Sequence, residues 1–138
     1  MITVLVGVVI FILVLSLVII VAREPGPSAG DVAVSYEAAW SRLDFKTLWV
    51  LSGEELRDRM SLDDYIVAKS AAYASTPLAQ PPSTIEIVSL TIEDDYAVAH
   101  TSVVLTVGAQ ATNEIELARR RERWLVVAYR LISSGRTV

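Results

Sequence analysis

The feature that most constrains this chain is an uncharged run near its start. The segment Ile2–Ala22 has 21 consecutive positions without a charged side chain, and 18 of them are hydrophobic. As a helix it would rise about 31 Å, which matches the roughly 30 Å hydrocarbon core of a bilayer. A helix also satisfies every backbone amide within lipid, whereas an unbroken strand of this length does not suit a small domain. The run therefore predicts a transmembrane helix over residues 2–22.

A cleaved signal peptide is the alternative interpretation of this run. Such a peptide places basic residues before an apolar stretch of about 7–15 residues. Here no Lys or Arg precedes the run, and the run is longer. We therefore expect a retained anchor and a single-pass location in the cell membrane. The Pro- and Gly-rich linker over residues 23–30 would keep the following domain close to the bilayer surface.

The rest of the chain has the composition of one small globular domain. All 28 charged side chains lie from Arg23 onward, where about 47% of the residues are hydrophobic. We assign residues 31–134 to this domain and 135–138 to a tail. The formal net charge of −4 argues against nucleic acid as a partner, because phosphate binding needs a basic face. The absence of cysteine from the sequence excludes disulfides, thiol catalysis and cysteine-ligated metals.

The first half of the domain has helical periodicity. Apolar positions between Asp31 and Arg42 fall on one helical face, and Asp44 is a suitable cap for a short second helix over residues 45–51. Ser52 and Glu55 have the spacing of a capping box, which predicts a further helical turn. Ser61 repeats the pattern and should begin the longest helix of the domain, to about residue 75.

The second half changes to the period of two that is typical of strands. We predict strands over residues 84–91, 96–107, 111–119 and 123–132, joined by short polar turns. Short turns favour an antiparallel meander. The expected architecture is therefore one transmembrane helix plus an α+β domain, with N-terminal helices packed on a four-stranded antiparallel sheet.

Three segments carry a resemblance to a known superfamily: Tyr36–Trp40, Asp44–Trp49 and Arg123–Tyr129. An aromatic-bearing first helix, a short second helix that begins at Asp-Phe and a closing Arg-Trp strand resemble the nuclear-transport-factor-two-like domains. The resemblance covers residues 31–134 and implies the cone-shaped α+β fold that is shared with ketosteroid isomerase. The whole chain also resembles bacterial membrane-anchored accessory proteins, which implies a domain on the external face of the membrane. Arg23, the one basic residue near the predicted anchor, favours the opposite orientation, with the domain on the cytoplasmic side, because basic residues are enriched in cytoplasmic loops.

Candidate chemical groups are few. His100 lies in mid-strand on the same predicted face as Tyr96 and Ser102, without a carboxylate on its own strand, which favours a structural role over ligand binding or catalysis. Asp63-Asp64 fits the start of a helix, and Asp94-Asp95 fits a turn. Neither pair predicts a catalytic or metal site, because the side chains of adjacent residues do not converge on one site. The basic cluster Arg119–Arg123 is either a solvated hairpin turn or a contact for lipid headgroups or an acidic partner.

Aromatic side chains give the remaining site hypothesis. They form either the core between helices and sheet or the lining of a cavity for an apolar ligand. The candidate lining residues are Trp40, Tyr65, Tyr73, His100 and Trp124. Ketosteroid isomerase-like enzymes use one tyrosine and two aspartates in an apolar pocket. This chain lacks the complete set, because no Asp falls on a predicted inward strand face. We therefore expect no catalytic residues, no metal and no cofactor.

The function that these features favour is a non-enzymatic accessory or scaffold domain, associated with a larger membrane complex of a bacterial envelope. Its expected partners are the lipid bilayer and a protein of that complex, and a homodimer is possible. A membrane-anchored binding module for a small apolar ligand or a lipid is the first alternative. An isomerase-like enzyme is the second.

Overall fold

The structure is a computed structural model that describes residues 2–22, 26–75, 82–105 and 108–136. Side chains are described for residues 6–16, 26–75, 84–105 and 108–135. The described helices and strands follow the predicted order, helices first and strands second. They are α1 (Ile2–Ala22), α2 (Ala29–Arg42), α3 (Phe45–Leu51), α4 (Leu62–Ala72), β1 (Pro82–Glu93), β2 (Tyr96–Leu105), β3 (Ala109–Arg120) and β4 (Arg123–Arg136), with a 3-10 turn over Glu54–Leu56.

The transmembrane prediction for helix α1 is corrected. In the part of the chain that the structure describes, no helix is both long enough and apolar enough to cross a membrane. The predicted architecture is therefore wrong in its transmembrane part. The predicted single-pass membrane location, with the domain on the external face, is corrected by the same finding.

Helix α2 begins two residues earlier than the sequence pattern predicts. The Ser28 hydroxyl accepts a hydrogen bond from the Asp31 amide at 3.1 Å, and the Asp31 carboxylate accepts one from the Ser28 amide at 3.3 Å. This reciprocal capping box starts the helix at Ala29. As a result, Ala29 and Gly30 are buried, although the predicted linker over residues 23–30 includes both. The helix ends where Leu43 adopts a left-handed conformation with φ of 52°.

Two of the three predicted helix caps are confirmed. The Asp44 carboxylate accepts from the Thr47 amide at 3.1 Å, and the Ser61 hydroxyl accepts from the Asp64 amide at 3.2 Å. The predicted capping box at Ser52 is wrong, because the Ser52 hydroxyl donates to the Leu48 carbonyl, 2.6 Å away, and closes helix α3. The sequence spacing alone does not distinguish the end of one helix from the start of the next.

The strands form an antiparallel meander in the order β1-β2-β3-β4, as predicted for the described part of the chain. Strand β4 continues to Arg136, which pairs with Ala109, four residues beyond the predicted end of the strand at residue 132. The added residues extend the strand because the start of β3 supplies backbone partners. The sheet over residues 82–136 therefore has longer strands than the hydrophobic pattern indicates.

The helices cover one face of this sheet. Helix α2 lies against β1, β2 and β4, α3 contacts β4, and α4 packs on α3. Alternate strand residues point to the helices and are buried, namely Ala97, Ala99, Thr101, Asn113, Ile115, Leu117 and Val126. Each large apolar side chain buried in this way contributes about 1.5–3 kcal/mol to folding. The opposite face carries the polar members of the alternation, including His100, Glu114 and Glu116.

Candidate functional site

The most unusual polar group of the domain is the carboxylate of Glu37, whose residue is only 4% exposed. It accepts hydrogen bonds from Thr101 Oγ1 at 2.6 Å and Asn113 Nδ2 at 2.9 Å, both on Oε1. Tyr129 Oη donates to Oε2 at 3.0 Å. Buried carboxylates are rare unless such donors surround them. Three neutral donors therefore hold Glu37 in place between the helix layer and the sheet.

The fold brings these four residues together from four different elements. Glu37 lies on the face of α2 that also carries Ala33 and Tyr36, so it points to the sheet. Thr101 of β2 and Asn113 of β3 are directly opposite each other in the antiparallel register and face the same side. Tyr129 comes from β4, where its register partner is two positions after Asn113. The three strands thus supply one donor each.

Burial controls the titration of the phenols in this region. Burial raises the pKa of Tyr129 well above its usual value, and the charge of Glu37 and their hydrogen bond raise it further. Burial also raises the pKa of Tyr36, although the side chains of Trp40 and Ser52 beside its hydroxyl lower it in part. Tyr129 therefore stays protonated and remains a hydrogen-bond donor to Glu37 over the physiological pH range.

A cavity of about 730 Å³ opens next to this network. Its wall combines the polar network with apolar side chains of α2, β2, β3 and β4. The polar members are Glu37, Ser41, Gln110, Asn113, Tyr129 and Ser134, and the apolar members include Trp40, Val103, Leu105, Ala111 and Leu131. The ring centroids of Trp40 and Tyr129 are 6.3 Å apart with an interplanar angle of 19°, a stacked pair. The cavity therefore joins an apolar wall to one buried carboxylate.

The five predicted lining residues are not all near this cavity. Trp40 forms part of its wall, and Tyr73 packs behind Trp40 with a ring separation of 5.7 Å. Tyr65 is buried in the core, and the Trp124 ring lies 5.7 Å from the Arg119 guanidinium. The structure places His100 on the opposite face of the sheet. Whether any of the five binds a ligand stays a prediction.

His100 belongs to a polar row on that opposite face. Its Nδ1 is 2.8 Å from Ser89 Oγ, and its Nε2 is 3.1 Å from Glu114 Oε2. Arg130 also binds Glu114 and contacts Glu116 at 2.8 Å. Arg130, and to a smaller extent His100, lower the pKa of Glu114, although desolvation opposes them. A hydroxyl, an imidazole and a carboxylate that contact one another in this order are the groups found in acyl-transfer sites. This row, however, lies outside the cavity wall.

The predicted basic cluster lies around the turn between β3 and β4. Arg119 pairs with Asp95 at 2.8 Å, and Arg120 pairs with Glu55 through both of its terminal nitrogens. The turn itself, at Arg121 and Glu122, has left-handed backbone conformations. Because carboxylates of the same domain pair with two of the arginines in the cluster, the structure favours the solvated-hairpin interpretation over a contact with an acidic partner. Among the described side chains, no group of three or more His, Asp or Glu is close enough to hold a metal ion.

The sequence interpretation missed Glu37. A glutamate in an amphipathic helix is usually solvated, and its partners lie 64 to 92 positions away along the chain. One local signal could have revealed it. Glu37 is four positions after Ala33 and adjacent to Tyr36 on a helical face that is otherwise apolar. A charged residue at such a position predicts a buried, hydrogen-bonded group.

Comparison with known proteins supports the fold. No protein-family model and no curated protein matches the chain. Solved structures do match the chain, including these three. One is an NTF2-like protein of unknown function from Shewanella baltica (12% identity, 79% of this chain and 92% of that chain, TM-score 0.57). The second is an NTF2-like protein from Campylobacter jejuni that is named as a candidate transpeptidase (17% identity, 72% of this chain and 97% of that chain, TM-score 0.53). The third is a SEC-C motif protein from Rhodopseudomonas palustris (14% identity, 78% of this chain and 83% of that chain, TM-score 0.52).

These similarities define the class of fold that the chain adopts. The described domain is an α+β fold of the nuclear-transport-factor-two-like type, which confirms the fold that the resemblance implied. At identities below 20%, the likeness extends to the fold and not to an activity. The function must therefore be argued from the cavity and the carboxylate of Glu37.

Proposed function

We propose that this domain is a non-catalytic binding module that holds a small, mainly apolar molecule in the cavity beside Glu37. The observation that carries the proposal is the cavity itself. The aromatic side chains do not fill the space between α2 and the strands, and about 730 Å³ stays open. Ligand sites typically enclose about 300–1,000 Å³.

The chemistry of the wall supports the same proposal. Binding sites for small molecules combine a mainly apolar lining with a few polar groups that converge and fix the orientation of the ligand. Here Trp40, Val103 and Leu105 supply apolar surface, while Glu37 and Asn113 supply the polar contact. The polar groups are held by long-range hydrogen bonds, so they are ordered before a ligand arrives.

The same hydrogen bonds argue against a catalytic role for Glu37. A carboxylate offers about four lone-pair sites, and Thr101, Asn113 and Tyr129 occupy three of them. A general base needs to approach the proton that it removes within hydrogen-bond distance. Glu37 is therefore better suited to hold a polar group of a ligand than to take up a proton during turnover.

Methyl NMR of the full chain can test the proposal at the level of the site. Titration with 1-octanol should shift the methyl signals of Val103, Leu105 and Leu131, which line the cavity. The methyl signals of Leu13, on the exposed α1 helix, serve as an internal reference for nonspecific binding. Saturable shifts that are confined to the cavity methyls would support the proposal. Equal shifts at Leu13, or no shifts at the cavity, would contradict it.

A matched pair of variants on strand β3 sharpens this test. Ala111→Phe places a ring in the cavity wall, and Ala118→Phe makes the same change outside it. We expect Ala111→Phe to weaken octanol binding at least about tenfold and Ala118→Phe to leave it unchanged. Equal affinity in both variants would move the binding site away from the cavity.

A protein-binding scaffold role is the second candidate. The edge strand β1 exposes Val88, Leu90 and Ile92, with exposed fractions of 66%, 39% and 52%. Exposed apolar groups on an edge strand favour contact with another chain. A pull-down of the tagged protein, read by mass spectrometry, should recover a stoichiometric partner that is lost in Val88→Lys with Ile92→Lys. Recovery of the protein alone would contradict this role.

A further inference from the structure

We infer that the ligand preferred by this cavity carries a protonated amine, and that its ammonium group contacts the carboxylate of Glu37. The inference rests on the proposed binding function and adds the chemical class of the ligand. It predicts a molecule with an apolar body and one cationic end.

The charge balance of the cavity favours a cationic ligand. Within the described residues, no Lys, Arg or His nitrogen lies within 4.0 Å of the Glu37 carboxylate. Among the described wall residues, Glu37 is also the one acidic or basic side chain. A buried carboxylate without a cation is costly, even when neutral donors surround it. A ligand ammonium would supply the missing positive charge.

The remaining hydrogen-bond capacity of the Glu37 carboxylate also favours an ammonium group. Of the described residues, Thr101, Asn113 and Tyr129 donate to the Glu37 carboxylate, so these donors leave about one of its four acceptor sites free. An ammonium group donates three hydrogen bonds and accepts none. It can therefore use the free site on Glu37 and donate to the hydroxyl of Ser41, which lies one helical turn away in the same wall. A ligand carboxylate would be repelled by the carboxylate of Glu37 and has no hydrogen to donate to it.

The aromatic wall of the cavity favours the same class of ligand. Trp40 and Tyr129 stack at 6.3 Å beside the carboxylate, and both line the cavity. Aromatic rings attract cations electrostatically, with Trp the most effective. A carboxylate beside a pair of aromatic side chains is an arrangement that suits an ammonium group and an adjoining alkyl chain.

The test compares three ligands of equal chain length in the full-length protein at pH 7. These are 1-octylamine, which is protonated, 1-octanol, which is neutral, and octanoate, which is an anion. The readout is the shift of the Val103, Leu105 and Leu131 methyl signals. We expect 1-octylamine to bind at least about tenfold more tightly than 1-octanol, and octanoate to bind more weakly than both.

Two charge-matched variants assign this preference to one carboxylate. Glu37→Gln should reduce the ratio of the amine to alcohol affinities to about one. Glu116→Gln removes the same charge from the opposite face of the sheet and should leave the ratio unchanged. If Glu37→Gln does not fold, the dependence of the wild-type ratio on salt provides the second readout. The ratio should fall by less than about twofold between 0.05 and 0.5 M NaCl, since buried pairs are screened little.

The outcomes separate this inference from the proposed function. If 1-octanol binds as tightly as 1-octylamine at the cavity methyls, the binding function stands and the amine preference is overturned. If Glu116→Gln abolishes the preference as fully as Glu37→Gln does, the preference is a surface-charge effect and the inference also fails. If none of the three ligands shifts the cavity methyls, the proposed function itself is overturned.

Discussion

Glu37 Oε1 accepts a hydrogen bond from Thr101 Oγ1 at 2.6 Å, and 64 positions of sequence separate the two residues. Both residues are buried, and the bond joins helix α2 to strand β2. It connects the helical half of the domain to the sheet through a polar group instead of an apolar contact. The bond also fixes the carboxylate at the wall of the cavity.

Loss of this bond should destabilise the domain. Thr101→Val keeps the shape of the side chain but leaves Glu37 with two donors instead of three. We expect the free energy of unfolding to fall by about 1–3 kcal/mol, the usual cost of an unsatisfied buried group. Urea unfolding followed by tryptophan fluorescence measures this change. Thr112→Val, on the neighbouring strand, is the control, and a loss of equal size there would show that the Glu37 bond is not the cause.

The buried tyrosines should make the domain sensitive to alkaline pH. Burial raises the pKa of Tyr65 from 10.0 to about 12. Because the folded pKa lies above the unfolded one, the stabilising contribution is complete below pH 10 and is lost as the pH rises toward 12. The free energy of unfolding should therefore decrease across this window, by up to about 1.4 kcal/mol per pH unit for this one group. Tyr65→Phe should flatten the decrease, as urea titrations at a series of pH values can determine, whereas an unchanged slope would contradict the prediction.

The close approach of α2 to β1 predicts an interaction between Gly30 and Ile87. A Cβ atom at Gly30 would lie 3.1 Å from Ile87 Cδ1, which is too close for an ordinary contact. Gly30→Ala should therefore cost about 1–3 kcal/mol in overpacking, more than the gain of up to about 1 kcal/mol in helix propensity. Ile87→Val removes the Cδ1 atom and should restore stability in the double variant. A double-mutant cycle by thermal unfolding measures the coupling, and additive effects would disprove the contact.

The carboxylate of Glu114 should titrate below its usual range because Arg130 binds it. Since the folded pKa is depressed, this pair stabilises the fold above the unfolded pKa of the carboxyl, and the contribution is lost as the pH falls through the folded pKa. Arg130→Gln should shift the pKa of Glu114 upward, which carboxyl-carbon NMR can record. Arg119→Gln, whose partner is Asp95, should leave the Glu114 pKa unchanged. A shift in the control instead would indicate a general charge effect.

Much of the fold could be predicted because its signals are local. The caps at Asp44 and Ser61 need partners three positions away, and the change from helical to strand periodicity is visible within short windows. Ser52 shows the limit of this approach. Its spacing to Glu55 fits a helix start, but the available Leu48 carbonyl and the contact between Glu55 and Arg120 made it a helix end.

The sequence by itself determined the order of helices and strands and the antiparallel meander. These features follow from hydrophobic alternation and from turn lengths, which are properties of neighbouring residues. Tertiary structure decided the site. Glu37, Thr101, Asn113 and Tyr129 become neighbours through strand register and helix placement, and a buried carboxylate is stable because all three donors arrive together. A single sequence does not record such convergence, since each of these residues alone has the chemistry of an ordinary surface group.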